Sequence, residues 1–152
     1  MFRLKILLII LFSRFHAFVF EISKGKFMNN LLGQKMMLIS TIGRKSGKIR
    51  KTPLLYIKHK EYIYCAGSYA GSDKHPDWCL NLIKTPNIEI FADRKRRQVK
   101  SEFLSGKERE HIWKLLCKSY PSYTDYQART NREIPVIKFT LIWNNVQLII
   151  LW

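Results

Sequence analysis

Four cations and two glycines fall within one short stretch of this chain, Gly43-Arg44-Lys45-Ser46-Gly47-Lys48-Ile49-Arg50. Glycines at both ends of a tight turn permit positive φ angles. Guanidinium and ammonium groups beside backbone N–H groups then make a cradle for an anion of the phosphate kind. A solvated hairpin tip that is merely basic has the same composition, so the turn has to be weighed with its neighbours.

Three further blocks follow it. Thr52-Pro53-Leu54 comes directly after the turn, and Gly67-Ser68-Tyr69-Ala70-Gly71 leads on through Lys74, His75 and Pro76 to Trp78. The last is Tyr120-Pro121-Ser122-Tyr123-Thr124-Asp125-Tyr126-Gln127, continued by Arg129-Thr130-Asn131-Arg132-Glu133-Ile134-Pro135-Val136. In this order and spacing, from about Leu31 to Val136, the chain resembles the deazaflavin-dependent nitroreductase and quinone reductase family, whose coenzyme is the 8-hydroxy-5-deazaflavin F-420.

The resemblance implies phosphate contacts from Arg44, Lys45, Ser46 and Arg50, with Gly43 and Gly47 shaping the turn. It implies that Thr52, Pro53 and Leu54 pass under the coenzyme ring and that Ser68, Tyr69, Ala70 and Gly71 approach its other side. Lys74 and Trp78 belong to that same block, the first near the coenzyme's anionic tail and the second as a wall. Tyr120, Tyr123 and Tyr126 would line the acceptor side. Two positions depart from relatives: Tyr69 stands where lysine or asparagine is common, and Leu55 where tyrosine is common.

Spacing gives the tyrosines a reading of their own. At i, i+3 and i+6 they share one face of a helical turn, and such a stripe is ordinarily core. Their neighbours Ser122, Thr124, Asp125 and Gln127 are polar, which suits a half-exposed lid instead. A phenol with an ordinary pKa of about 10 is protonated at neutral pH, so it can donate to a carbonyl or nitro oxygen. The expected reaction is hydride transfer from reduced F-420 to a quinone or nitroaromatic acceptor, with Tyr126 and Ser68 stabilising the developing oxyanion. Flavin mononucleotide (FMN) stays open as the alternative cofactor, because a phosphate clamp does not read the ring, and a non-catalytic flavin- or lipid-binding protein at the membrane surface stays open as the alternative role.

The elements that must hold these residues are legible in outline. A helix is expected from Phe2 to Ser23, then strands at Lys35–Thr41, Lys51–Lys58 and Glu61–Ala66 as a meander. A short helix follows Pro76, and a hairpin joins Asn87–Ala92 to Arg96–Leu104 with a solvated basic tip at Arg94-Lys95-Arg96-Arg97. Ser105-Gly106-Lys107-Glu108 has capping-box spacing ahead of a helix burying Ile112, Leu115 and Leu116, and a strand at Ile134–Ile142 ends the sheet. The sum is a mainly antiparallel α+β domain, most simply a small barrel, and the resemblance implies the split β-barrel of the FMN-binding kind. The expected organisation is an N-terminal amphipathic helix and linker over 1–30, a split-barrel deazaflavin-binding domain over 31–142, and an apolar extension over 143–152. That extension would serve as a strand or as a contact in a homo-oligomer.

The chain has 152 residues and a formal charge of +16, from 27 Lys and Arg against 11 Asp and Glu. Such a charge favours anionic partners: phosphate-bearing cofactors, acidic lipids or nucleic acid. No helix-turn-helix or ribonucleoprotein motif accompanies it, so nucleic acid is not expected. Cys65, Cys79 and Cys117 have neither zinc spacing nor an even count, which points to a reducing, cytoplasmic compartment. The histidines are scattered, and no metal is expected. The apolar run Ile6–Phe12 is too short to span a bilayer. With Arg14, Phe15 and Phe18 it suits a helix lying on the inner face of the cell membrane, or one packed on the barrel, or both.

Overall fold

The computed structural model describes residues 2–31 and 33–142, and of residues 2–10 the backbone alone. The proposed extension at 143–152 lies outside the described residues. Helix α1 covers Phe2–Ile22, followed by strands β1 (Asn30–Leu31), β2 (Gln34–Ile42), β3 (Ile49–Leu55), β4 (Ile57–His59) and β5 (Tyr62–Ala66). Helix α2 is Asp77–Lys84. The hairpin β6 (Asn87–Ala92) and β7 (Lys95–Phe103), helices α3 (Gly106–Ser119) and α4 (Ser122–Ala128), and β8 (Val136–Leu141) follow among the described residues.

The apolar run Met36–Ile39 of β2 is buried without interruption because both faces of the strand are covered. Met37 and Ile39 point into the main core with Ile90, Val99, Ile137 and Phe139. Met36 and Leu38, on the alternate face, pack with Phe91 against Ala17 and Phe20 of α1. Phe20 meets Phe91 edge-on at 5.3 Å between ring centres. Full burial of such a side chain stabilises by roughly 1.5–3 kcal/mol. Glu21, at the end of α1, pairs with Lys51 of β3 and with Arg96 of β7, the latter at 3.0 Å. Gly25 (φ +71) then terminates the helix by donating its N–H to the Phe20 carbonyl at 2.8 Å.

The expected meander is corrected by the sheet order, β1-β2-β6-β7-β8-β5-β4 with β3 paired to β2. The single strand expected at Lys51–Lys58 breaks at Tyr56. Its first half, β3, pairs with β2, and its second half, β4, pairs with β5, which lies beside β8 rather than β3. Apart from the two-residue β1, the described sheet therefore begins and ends on two halves of one bent segment, and that curls it towards a barrel. Tyr56 holds the bend: its N–H donates to the Lys35 carbonyl at 3.1 Å and its buried phenol to Asp93 Oδ1 at 2.8 Å. Asp93, at the β6–β7 turn, also accepts from Lys35 and Lys58.

The hairpin tip is exposed at Arg94, Lys95 and Arg96, as expected, and Arg96 also lies over the Phe91 ring and bonds Glu89 and Glu21. The capping box at Ser105 is also corrected. Ser105 occupies the N-cap position without a side-chain cap bond, and Glu108 pairs with Lys138 of β8 at 3.0 Å instead. Ile112 and Leu116 are buried as expected, in a second core formed with Tyr64, Ile134 and Val136.

Candidate functional site

The basic turn joins β2 to β3, and its own backbone closes it. Gly43 donates to the Lys48 carbonyl at 2.8 Å, while Ser46 and Gly47 donate back to Gly43 at 3.1 and 2.7 Å. The two glycines do different work. Gly47 adopts a left-handed conformation (φ +68), as the turn reading requires. Gly43 has no positive φ; it is small because a Cβ there would stand 2.7 Å from Ser46 Oγ.

What fixes the turn in space is α2. Asn81, buried on that helix, accepts from the Arg44 N–H at 3.0 Å and donates through Nδ2 to Thr41 Oγ1 at 3.2 Å. Arg44 turns its guanidinium the same way, pairing with Asp77 at 2.8 Å. Lys45, Lys48 and Arg50 are exposed and have no acidic partner among the described residues. Arg44 is thus half spent on α2, and the free positive charge of the turn is carried by the other three.

Thr52, Pro53 and Leu54 occupy β3 opposite Ile39, Leu38 and Met37. Among the described residues β3 pairs only with β2, so its other edge is open, and a proline without an N–H fits such a strand. Leu55, at its end, lines a void of about 10 Å³ together with Tyr120 and Tyr123, which brings β3 to the tyrosines.

Loop 67–76 connects β5 to α2. Ser68 is in the right-handed region, after which Tyr69 (φ 47), Ala70 (φ 53) and Gly71 (φ 78) are left-handed in succession. Left-handed geometry costs a residue with a side chain roughly 1–2 kcal/mol. Right-handed followed by left-handed residues turn successive N–H groups to one side as an anion-binding nest. The N–H groups of Ser68, Tyr69 and Ala70 have no acceptor among the described residues, whereas Gly71 and Ser72 donate to the Ser68 and Tyr69 carbonyls at 3.0 Å each. Gly71 sits directly under α4: a Cβ there would meet the Tyr126 carbonyl at 2.7 Å. Lys74 is exposed, and Trp78 is core, packed with Cys79 and Leu82. Burial pushes the Cys79 thiol well up, which suits an inert side chain.

The three tyrosines form one cluster, with ring centres 5.1 to 6.3 Å apart. Their environments differ. Tyr123 is buried against Trp113, and burial raises its phenol far above the usual range. Tyr126 is half-buried, with its hydroxyl 3.4 Å from that of Tyr120. Burial first, then the Tyr120 hydrogen bond, pushes it up to about 12, while the Arg129 guanidinium over its ring pulls the other way.

Asn81 and Arg132 are not among the expected site residues, although Arg132 stands in the last of the motif blocks. Asn81 carries a signal, a polar side chain on the apolar face formed by Trp78, Cys79 and Leu82. Arg132 carries none, since a charged residue among Asn131 and Glu133 reads as surface. In the structure its guanidinium reaches the 67–72 loop.

Residues 12–140 match the family described as F420H(2)-dependent quinone reductase. The chain belongs to that family. Membership brings coenzyme F-420 as cofactor and the chemistry of an oxidoreductase. A quinone reductase of this family from Mycobacterium tuberculosis is 28% identical over 131 residues, covering 84% of this chain and 88% of its own. A solved F420-H2 dependent reductase is 36% identical and superposes with a TM-score of 0.64, over 69% of this chain and 93% of its own. A domain-swapped dimer matches equally, with 36% identity, a TM-score of 0.64 and coverage of 69% and 79%. A FAD-binding protein of Mesorhizobium loti, 11% identical with a TM-score of 0.52 over 71% of this chain and 79% of its own, shares the fold alone.

Proposed function

We propose that this family member reduces a quinone at the expense of reduced F-420, and that nitroaromatic compounds are a second acceptor class. The observation that carries this reading is the packing of Gly71 against Tyr126, which brings the glycine loop and the tyrosine helix to one place. The donor set fits the coenzyme: exposed cations of the turn for its phosphate and anionic tail, unpaired loop amides for ring oxygens, and an open β3 edge between them. When bound, the reduced coenzyme supplies a hydride.

The residues of the chain do the rest. Lys45, Lys48 and Arg50 hold the anionic end, with Arg44 and Ser46 shaping the turn around it. Thr52, Pro53 and Leu54 form one side of the ring site, and the Ser68–Gly71 loop forms the other. Lys74 adds charge near the tail, and Trp78 supports the wall from within the core. Tyr126 keeps its proton at neutral pH, because its pKa lies near 12, and so donates a hydrogen bond to the acceptor oxygen as charge develops there. Tyr120 orients that hydroxyl, Ser68 is a second donor, and Tyr123 packs beneath them.

The test replaces Tyr120, Tyr123 and Tyr126 with Phe together. Normal F-420 binding with turnover cut tenfold or more on a benzoquinone supports the reading; turnover at the parental rate with several acceptors refutes the acceptor side. Titration of the parental protein with F-420 and with FMN, followed by fluorescence quenching, checks the coenzyme side.

A second reading concerns location. Leu11, Phe15, Phe18 and Ile22 recur at helical spacing on the face of α1 turned away from the barrel, with Phe15 58% and Phe18 62% exposed. Among the described residues no helix is long and apolar enough to cross a membrane. This stripe on a chain of +16 suits attachment to an anionic membrane surface. Phe15→Ser with Phe18→Ser should abolish co-sedimentation with phosphatidylserine vesicles; unchanged co-sedimentation rules it out. A homodimer is a further proposal, supported by the likeness to a domain-swapped dimer, and sedimentation velocity decides it.

A further inference from the structure

We propose that Arg132 is a positioning residue that shapes the 67–72 loop for the coenzyme. It gathers the loop's carbonyls on one side, so that the Ser68, Tyr69 and Ala70 amides are left to face the ligand. Nε donates to the Ser72 carbonyl at 2.7 Å, and Nη2 donates to the Ser68 and Gly67 carbonyls at 2.8 and 3.1 Å. One planar group thereby grips both ends of the left-handed segment Tyr69-Ala70-Gly71. A conformation that ordinary residues avoid persists only where its surroundings over-determine it, and a fork of fixed donors supplies that constraint in a way that a single ammonium does not.

The arginine is itself braced from the acceptor side of the site. Gln127 of α4 donates through Nε2 to the Arg132 carbonyl at 2.8 Å and accepts from the Ile134 N–H at 2.9 Å. Thr130 accepts from the Arg132 N–H at 3.3 Å and donates to Asp73 at 2.8 Å, a second tether onto the same loop. Gln127 follows Tyr126 directly, so the loop and the tyrosine move as one unit through Arg132. Its Nη1 is buried without a partner among the described residues. Leaving a charged donor unpaired costs stability, so stability alone does not account for an arginine here.

This inference rests on the reading of the site as a deazaflavin site, and its test separates the two. Amide hydrogen exchange is measured without coenzyme on the parental protein and on Arg132→Met, Arg132→Lys and Thr130→Val. F-420 titrations and steady-state kinetics with a benzoquinone follow. In Arg132→Met the Gly71 and Ser72 amides should exchange at least tenfold faster, with β2 and α3 unchanged. F-420 affinity should fall about tenfold while KM for the quinone stays within twofold. Arg132→Lys should recover part of both losses, and Thr130→Val should show a smaller loss of the same kind. A folded Arg132→Met with unchanged loop exchange and affinity overturns the proposal, and so does a uniform acceleration of exchange across the chain. Should Arg132→Met fail to fold, parental exchange and affinity in both Arg132→Lys and Thr130→Val overturn it. If the parental protein does not bind F-420, the reading of the site falls with it, whatever the exchange shows.

Discussion

Gly71 and Gly47 offer a controlled comparison of what the site loop does for α4. Both are left-handed, with φ of +78 and +68, so alanine at either position meets the same torsional penalty, roughly 1–2 kcal/mol. Their surroundings differ completely. At Gly47 a Cβ meets nothing within 4 Å, whereas at Gly71 it stands 2.7 Å from the Tyr126 carbonyl and 3.1 Å from Tyr126 Cα and Arg129 Cβ. Backbone atoms cannot rotate away, so α4 has to move by several tenths of an ångström, and forced overpacking of this kind costs about 1–3 kcal/mol more. Gly47→Ala should therefore lose about 1–2 kcal/mol in urea denaturation, and Gly71→Ala about 2–5 kcal/mol. Benzoquinone turnover should drop in Gly71→Ala beyond its loss of F-420 affinity, because the displaced group is the helix that carries Tyr126. Equal destabilisation by the two substitutions, with Gly71→Ala retaining parental turnover, would refute the idea that the loop bears on the acceptor helix.

Asn81→Leu should weaken F-420 binding about tenfold and destabilise by roughly 1–3 kcal/mol, since it leaves the Thr41 hydroxyl and the Arg44 amide without their partner. Parental affinity in calorimetric titration would mean that the turn needs no tether to α2. For Asp93, partial burial alone would raise the carboxyl, but hydrogen bonds from Lys58, Tyr56 and Lys35 outweigh it and hold it at about 2, against an ordinary 3.8. The stabilisation is complete above pH 3.8 and is lost as pH falls through about 2, so Asp93→Asn should cost about 1–2 kcal/mol at neutral pH and flatten stability over that acid window. An unchanged acid transition would contradict this. Lys45→Ala with Arg50→Ala should weaken F-420 binding and reduce its salt dependence, and a salt slope equal to the parental one would remove these cations from the site.

The parts of this molecule that local rules govern were readable in its sequence. The strand through Met36–Ile39, the helix after Pro76, and the turn at Gly47 each depend on a few adjacent residues. The break at Tyr56 did not announce itself, because it is fixed by Asp93 and Lys35, both distant in sequence. For the same reason the meander reading failed: β5 finds β8, more than sixty residues on, and no local pattern encodes that choice. At the site, the motifs pointed to the residues facing a ligand. The side chains behind them, Asn81 and Arg132, escaped notice because their importance lies in carbonyls and amides that only the folded chain brings near. The capping box at Ser105 erred in the opposite sense, a local signal overruled when Lys138 offered Glu108 a full charge.

The bent segment 49–59 also constrains how the chain can be cut or rejoined. Apart from the short β1, both margins of the described sheet are written into consecutive residues, so the barrel's hoop is fastened by covalent bonds at Tyr56 rather than by hydrogen bonds between two strangers. A circular permutant with new termini at Tyr56 would turn one clasp into two loose ends, free to seek the complementary end on another molecule.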